Sequence, residues 1–168
     1  MKSRAAVWIC LFSCIYPYAM SAEAPPQFPR VKGMYQMTQE WSVVLPEEYA
    51  KRFEEGEHGT DLVLWRPGIT CWTSIYNQKD GETPEETLAW RKSKPPEGGV
   101  KVFEMTEKRP LRYGYLLHEK PEGEPERWGL YTFTFGTSGH VMMSIYFDRE
   151  EDLEKAKAIW LSVEEKER

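Results

Sequence analysis

The hydrophobic and polar positions along this chain change period several times, and each change marks an element. Trp41, Val43 and Leu45 alternate with Ser42 and Val44, which predicts a strand over 41–45 that ends at Pro46. Tyr49, Ala50 and Phe53 then fall at helical spacing, which predicts a short helix over 47–55 before a loop at 56–59. Residues 61–65 and 69–76 read as a hairpin turning at Arg66, Pro67 and Gly68. In its second strand Ile69, Cys71, Thr73 and Ile75 share one face, while Trp72 and Tyr76 lie on the other.

Thr83-Pro84-Glu85-Glu86 has the chemistry of a helix start: a hydroxyl N-cap, proline in the first turn and a glutamate placed to close a capping box. That helix is predicted to reach about Lys92 and to stop before Pro95. Four strands follow, at 100–107, 111–118, 127–135 and 140–147, with turn chemistry at Pro110, 121–123 and 136–139. Tyr131, Phe133 and Phe135 line one face, as do Val141, Met143, Ile145 and Phe147, yet Leu130, Met142 and Tyr146 make the opposite faces partly apolar. A sheet apolar on both faces needs cover on both, from helices or from a partner subunit. Asp148-Arg149-Glu150-Glu151 reads as a second capping box, opening a helix with Leu153, Ala156, Ile159, Trp160 and Val163 on one stripe.

The order strand, short helix, hairpin, helix, four-strand meander and C-terminal helix resembles the PsbP-like α/β/α sandwich, which includes the DcrB-type proteins. Residues 41–46, the hairpin 61–76 and the ending 139–163 carry the resemblance. The expected fold class is α+β: a mainly antiparallel sheet of about six to seven strands with helices packed on its faces. The resemblance implies a binding or assembly factor without a shared catalytic constellation, so it transfers no functional residue.

The N-terminus adds a compartment. Residues 1–24 read as an export signal, with Lys2 and Arg4, an apolar run at 5–15, and small residues at Ala19, Ser21, Ala22 and Ala24. The run falls short of the roughly 20 apolar residues that span a bilayer, and no later segment is expected to cross one. The expected organisation is the signal at 1–24, an extended tether at 25–33 and one α+β domain at 34–168, located in the periplasm or secreted after cleavage. The alternative is a lipid anchor at Cys14, although Phe12 suits an acylation signal poorly. With Cys10 and Cys14 inside the signal, Cys71 remains alone and no intramolecular disulfide is expected.

Charge and chemistry narrow the function by exclusion. The net charge is −5, becomes more acidic when Lys2 and Arg4 leave, and comes with no basic cluster, which excludes nucleic acid as a partner. His58 and His118 read as surface residues and His140 as packed or capping, none with a partner at ligand spacing. Without Cys-x-x-Cys or His-x-x-x-His, neither a metal nor another cofactor is expected. The acidic run Glu54, Glu55 and Glu57 with Asp61 reads as solvated, Cys71 as a buried small hydrophobe and 136–139 as a plain turn.

Tryptophan is the one oddity, with Trp41, Trp65, Trp72, Trp90, Trp128 and Trp160 beyond the signal. Trp65, Trp72, Tyr76, Trp90 and His140 are the candidate partner-binding residues, because aromatic side chains dominate binding hot spots. The expected function is a non-enzymatic protein-binding or assembly factor. Its specific version is an immunity or inhibitor protein against an exported toxin, where an acidic domain steers into a basic cleft. The alternative is a small-ligand carrier or hydrolytic enzyme whose site assembles from dispersed residues, with His140, Tyr146 and the hairpin aromatics as its parts.

Overall fold

The computed structural model describes residues 27–56, 59–79, 81–94, 101–120, 122–123 and 125–166; the stretch 1–24 that reads as an export signal, Glu57 and His58 lie outside them. Among the described residues there are nine strands. They are β1 (Arg30–Gln36), β2 (Trp41–Gly56), β3 (Gly59–Arg66), β4 (Ile69–Asn77), β5 (Lys101–Met105), β6 (Leu111–Glu119), β7 (Arg127–Phe135), β8 (Gly139–Phe147) and β9 (Glu164–Glu165). Helix α1 (Pro84–Lys92) lies between β4 and β5, and helix α2 (Leu153–Leu161) between β8 and β9. All neighbours run antiparallel in the order β1-β2-β3-β4-β8-β7-β6-β5, and β9 adds to β2.

This corrects the expected fold class. The described residues form one nine-stranded sheet with two nine-residue helices, not a six- to seven-stranded sheet sandwiched between helical layers. The largest single cause is the segment expected to be a helix at 47–55, which continues β2 through Pro46 to Gly56. Pro46 is tolerated because it falls where the β1–β2 register shifts, opposite the step from Val31 to Gly33. Its missing N–H therefore breaks no regular ladder. Pairing with β3 over Ala50 to Gly56 then outweighs the local spacing of Tyr49, Ala50 and Phe53. The two added strands are β1, which begins at Arg30 inside the stretch read as a tether, and the short β9 after the last helix.

β2 serves two neighbours in succession. Its first half pairs with β1 and its second half with β3, while its free start at Trp41 and Ser42 takes β9. Helix α2 packs on the inner face against β2, β7 and β8. Leu153, Ala156, Ile159 and Trp160 of the helix are buried against the inner-face residues Leu62, Leu64, Cys71, Met143, Ile145 and Leu130. The Trp160 indole rests over Gly114, where a Cβ would come within 3.2 Å of it, and its N–H donates to the Thr134 hydroxyl at 3.2 Å. Arg112 reaches from β6 to the end of the same helix and donates to the Leu161 and Val163 carbonyls.

The two helix starts differ. Thr83 and Glu86 form the reciprocal capping box that the sequence indicates. The second expected box does not form: Arg149 leads into a short 3₁₀ turn at Glu150–Asp152, and α2 begins without a side-chain cap. Asp152 instead takes ion pairs from Arg149 and Lys155, which hold its carboxyl below the usual range, Lys155 contributing most. Asp148 is left exposed beyond the end of β8.

Candidate functional site

α1 covers only part of the outer sheet face. Leu88 packs with Leu111, Tyr113, Tyr115, Phe133 and Phe135 of β6 and β7, and the Arg91 guanidinium lies 3.9 Å over the Phe133 ring. Past β7 the helix ends, and no described helix covers the outer face of β8, β4 and β3. A groove of about 680 Å³ lies there, along Asp61, Thr70, Trp72, Ser74, Ser144 and Tyr146, closed at one end by Arg127 and Asp148.

Strand register builds this surface. Thr70 faces Tyr146, Trp72 faces Ser144 and Ser74 faces Met142, so each rung sets a bulky side chain beside a small hydroxyl. The result is a stepped floor of apolar knobs and polar hollows. Asp61, across from Ser74 on β3, accepts a 2.6 Å hydrogen bond from its hydroxyl.

The floor is held from beside. Tyr131 donates to Glu119 and sits 3.3 Å from the Tyr146 hydroxyl. Arg127 pairs with Glu119 at 2.9 Å and lies 4.4 Å over the Tyr146 ring. Burial first, and then the bond to Glu119, push the Tyr131 hydroxyl far above its ordinary pKa, so it remains a donor at any physiological pH. Tyr146 is thereby locked by its neighbours, as a preorganised contact surface requires.

The five candidate residues all belong to this side of the molecule but do not form one cluster. Trp72 floors the groove. Tyr76 and His140 stack on each other one rung beyond Ser74, with ring centroids 4.8 Å apart. Trp65 is engaged by Phe28 edge-on at 4.8 Å and by Arg52 at 5.1 Å. Trp90 projects from α1, 55% exposed, under the Lys94 ammonium.

His140 is held between Tyr76 and Phe135, and burial, then nearby Arg91, lowers its pKa, so the ring is neutral near pH 7. Cys71 is fully buried on the inner face, where burial pushes its thiol up to about 12. His118 stacks on Trp128 at 4.3 Å and pairs with Glu126 at the exposed end of β6. Glu54 pairs with Arg52, and Glu55 accepts from Thr60. Among the described residues, no three His, Cys, Asp or Glu side chains converge on a metal position. No described helix is long and apolar enough to cross a membrane.

Ser144 and Arg127 line the groove and Glu119 braces Arg127 from beside it, none of them a residue with reactive chemistry in the sequence. Strand alternation was their only signal: 142, 144 and 146 lie opposite the core residues of β8. Asp148 was read as a helix cap and is instead part of the groove rim. Comparison with protein-family models, with curated proteins and with solved structures returns no match. The site is therefore read from its own geometry.

Proposed function

We propose that this protein is an exported, non-enzymatic binding factor that engages a protein partner through the open half of its outer sheet face. The observation that carries the reading is the stepped floor of β4 and β8, with Trp72 and Tyr146 presented beside Ser144 and Thr70 and no described helix over them. Rigid aromatic side chains next to small hydroxyls combine large contact area with adaptable hydrogen bonding, the composition of a protein-recognition surface. The Arg127–Glu119–Tyr131 support adds preorganisation, which lowers the entropic cost of association. The two residues with the strongest nucleophile or base chemistry, Cys71 and His140, are a core thiol and a ring stacked between aromatics, which favours binding over turnover.

Ser144→Arg tests the reading by placing a bulky side chain in the floor of the groove. The expected result is loss of co-purifying protein from native extract, with an unchanged melting temperature and with retention by Lys108→Ala, which alters an exposed turn. Equal recovery by Ser144→Arg and the unaltered protein would remove the groove from the binding surface.

A further inference from the structure

The tryptophans differ in what covers them. Trp41 and Trp160 are buried in the core. Trp65 carries Arg52 and Phe28, Trp90 carries Lys94, and Trp128 carries His118. Trp72 alone among them has no ring or cation of the described residues against its indole, and it stands in the middle of the groove floor.

The charges around it are unequal. Facing the groove or its rim are Asp61, Glu126, Asp148 and Arg127, with Arg52, Glu54 and Glu119 on the flanking strands. Arg127 is matched by Glu119 at 2.9 Å, Glu126 by Lys120 at 2.7 Å, and Glu54 by Arg52. Asp61 has the Ser74 hydroxyl as its partner, and Asp148 has no ion pair among the described residues. Two carboxylates are left over.

Asp148 follows Phe147, which pairs with Ile69, and so stands beside Gly68, one outer position beyond Thr70; Asp61 pairs with Ser74 at the other end. Thr70, Trp72 and Ser74 are successive outer positions of one strand, about 7 Å apart at each step. The groove therefore offers a carboxylate, an indole and a carboxylate separated by two steps and by one step of the repeat with which an extended chain presents alternate side chains.

We propose that Trp72 is the seat of a lysine or arginine side chain of the partner, and that the groove takes an extended basic segment whose flanking charges reach Asp61 and Asp148. This rests on the outer face being the binding surface and goes further by naming what binds there. Tryptophan is the strongest aromatic platform for a cation. A segment with four charges recurring every second residue meets Asp148 with one end charge, Asp61 with the other and Trp72 with the charge next to Asp61, and the chain's net charge of −5 favours its approach.

The probe is the peptide Lys-Thr-Lys-Thr-Lys-Thr-Lys, titrated calorimetrically against the full chain beside its norleucine counterpart and the neutral sugar cellotetraose. The lysine peptide is expected to bind and to weaken with added salt. Affinity should fall on the order of tenfold in Trp72→Leu and by several-fold in Asp61→Asn or Asp148→Asn. Asp148 is exposed, so Asp148→Asn keeps the test decisive whatever Trp72→Leu does to folding. No binding of the lysine peptide, equal binding of the norleucine peptide or the sugar, or indifference to all three substitutions would overturn the proposal. If Ser144→Arg abolishes partner capture while the lysine peptide fails to bind, the outer face remains the binding surface and only the basic segment is wrong. If Ser144→Arg leaves capture intact, the binding surface itself is wrong.

Discussion

Two residues on the inner face of β4 make opposite demands on the core. Cys71 is satisfied there as a thiol, and burial raises its pKa from 9.0 to about 12. Tyr49 is raised by burial as well. In both cases the unfolded chain loses its proton at lower pH than the folded one, so the stabilisation is complete below the unfolded pKa and is lost as pH rises. Urea midpoints should accordingly fall between pH 9 and pH 12, by up to about 1.4 kcal/mol per pH unit for each fully linked proton. A flat midpoint over that window would contradict the burial of both groups. Thr73, two residues along, is 1% exposed, and its hydroxyl has no partner among the described residues. Thr73→Val removes that buried oxygen and should raise stability by about 1 kcal/mol in denaturant melts.

At the scale of elements, α2 and β9 close the inner face, and each depends on a few contacts. Trp160→Ala would empty the space over Gly114 and remove the bond to Thr134, so a loss of about 3–5 kcal/mol is expected by chemical denaturation. β9 is tied by Glu165, which accepts from the Thr137 amide at 2.8 Å and from its hydroxyl at 3.1 Å. Burial of Glu165 opposes its charge, but bonds from Ser138 and Thr137 outweigh it and hold the carboxyl below 4.5. A carboxylate depressed in this way stabilises above its unfolded pKa and ceases to as pH falls through the folded value. Hydrogen exchange at 164–166 should therefore quicken selectively below pH 4.5, and Glu165→Gln should show the faster exchange already at neutral pH.

Much of this element scale was legible in the sequence. The β3–β4 hairpin, α1 with its Thr83 cap, the four-strand meander and α2 follow from turn chemistry and periodicity, which are local. What escaped was set by distant partners. Pro46 reads as a strand end until β1 supplies a register shift to accommodate it, and 47–55 reads as a helix until β3 pairs with it. β1 itself alternates between exposed and half-buried positions without a strongly apolar face, so only its pairing with β2 defines it.

At the scale of the whole molecule, the described residues fill one face of the sheet and cover half of the other. Apolar residues on both faces of β7 and β8 announced a need for two covers, but not where the second would stop. The groove follows from the shortness of α1, nine residues laid over β6 and β7 alone. The same alternation that makes 141, 143, 145 and 147 core residues turns Met142, Ser144 and Tyr146 toward that groove. Trp72 was legible as an outer-face aromatic, whereas its flanking carboxylates were not, because Asp61 and Asp148 meet it only through the order β3-β4-β8.

Site-directed photo-crosslinking in native extract tests the central claim most directly, with a photoreactive residue at Ser144 in the groove compared with one at Lys108 in the exposed turn before β6. Covalent adducts with one discrete protein from position 144, absent at 108 and suppressed by excess lysine peptide, are the expected result. Adducts from 108 but not from 144, or the same faint pattern from both, would contradict the assignment of the outer sheet face as the binding surface.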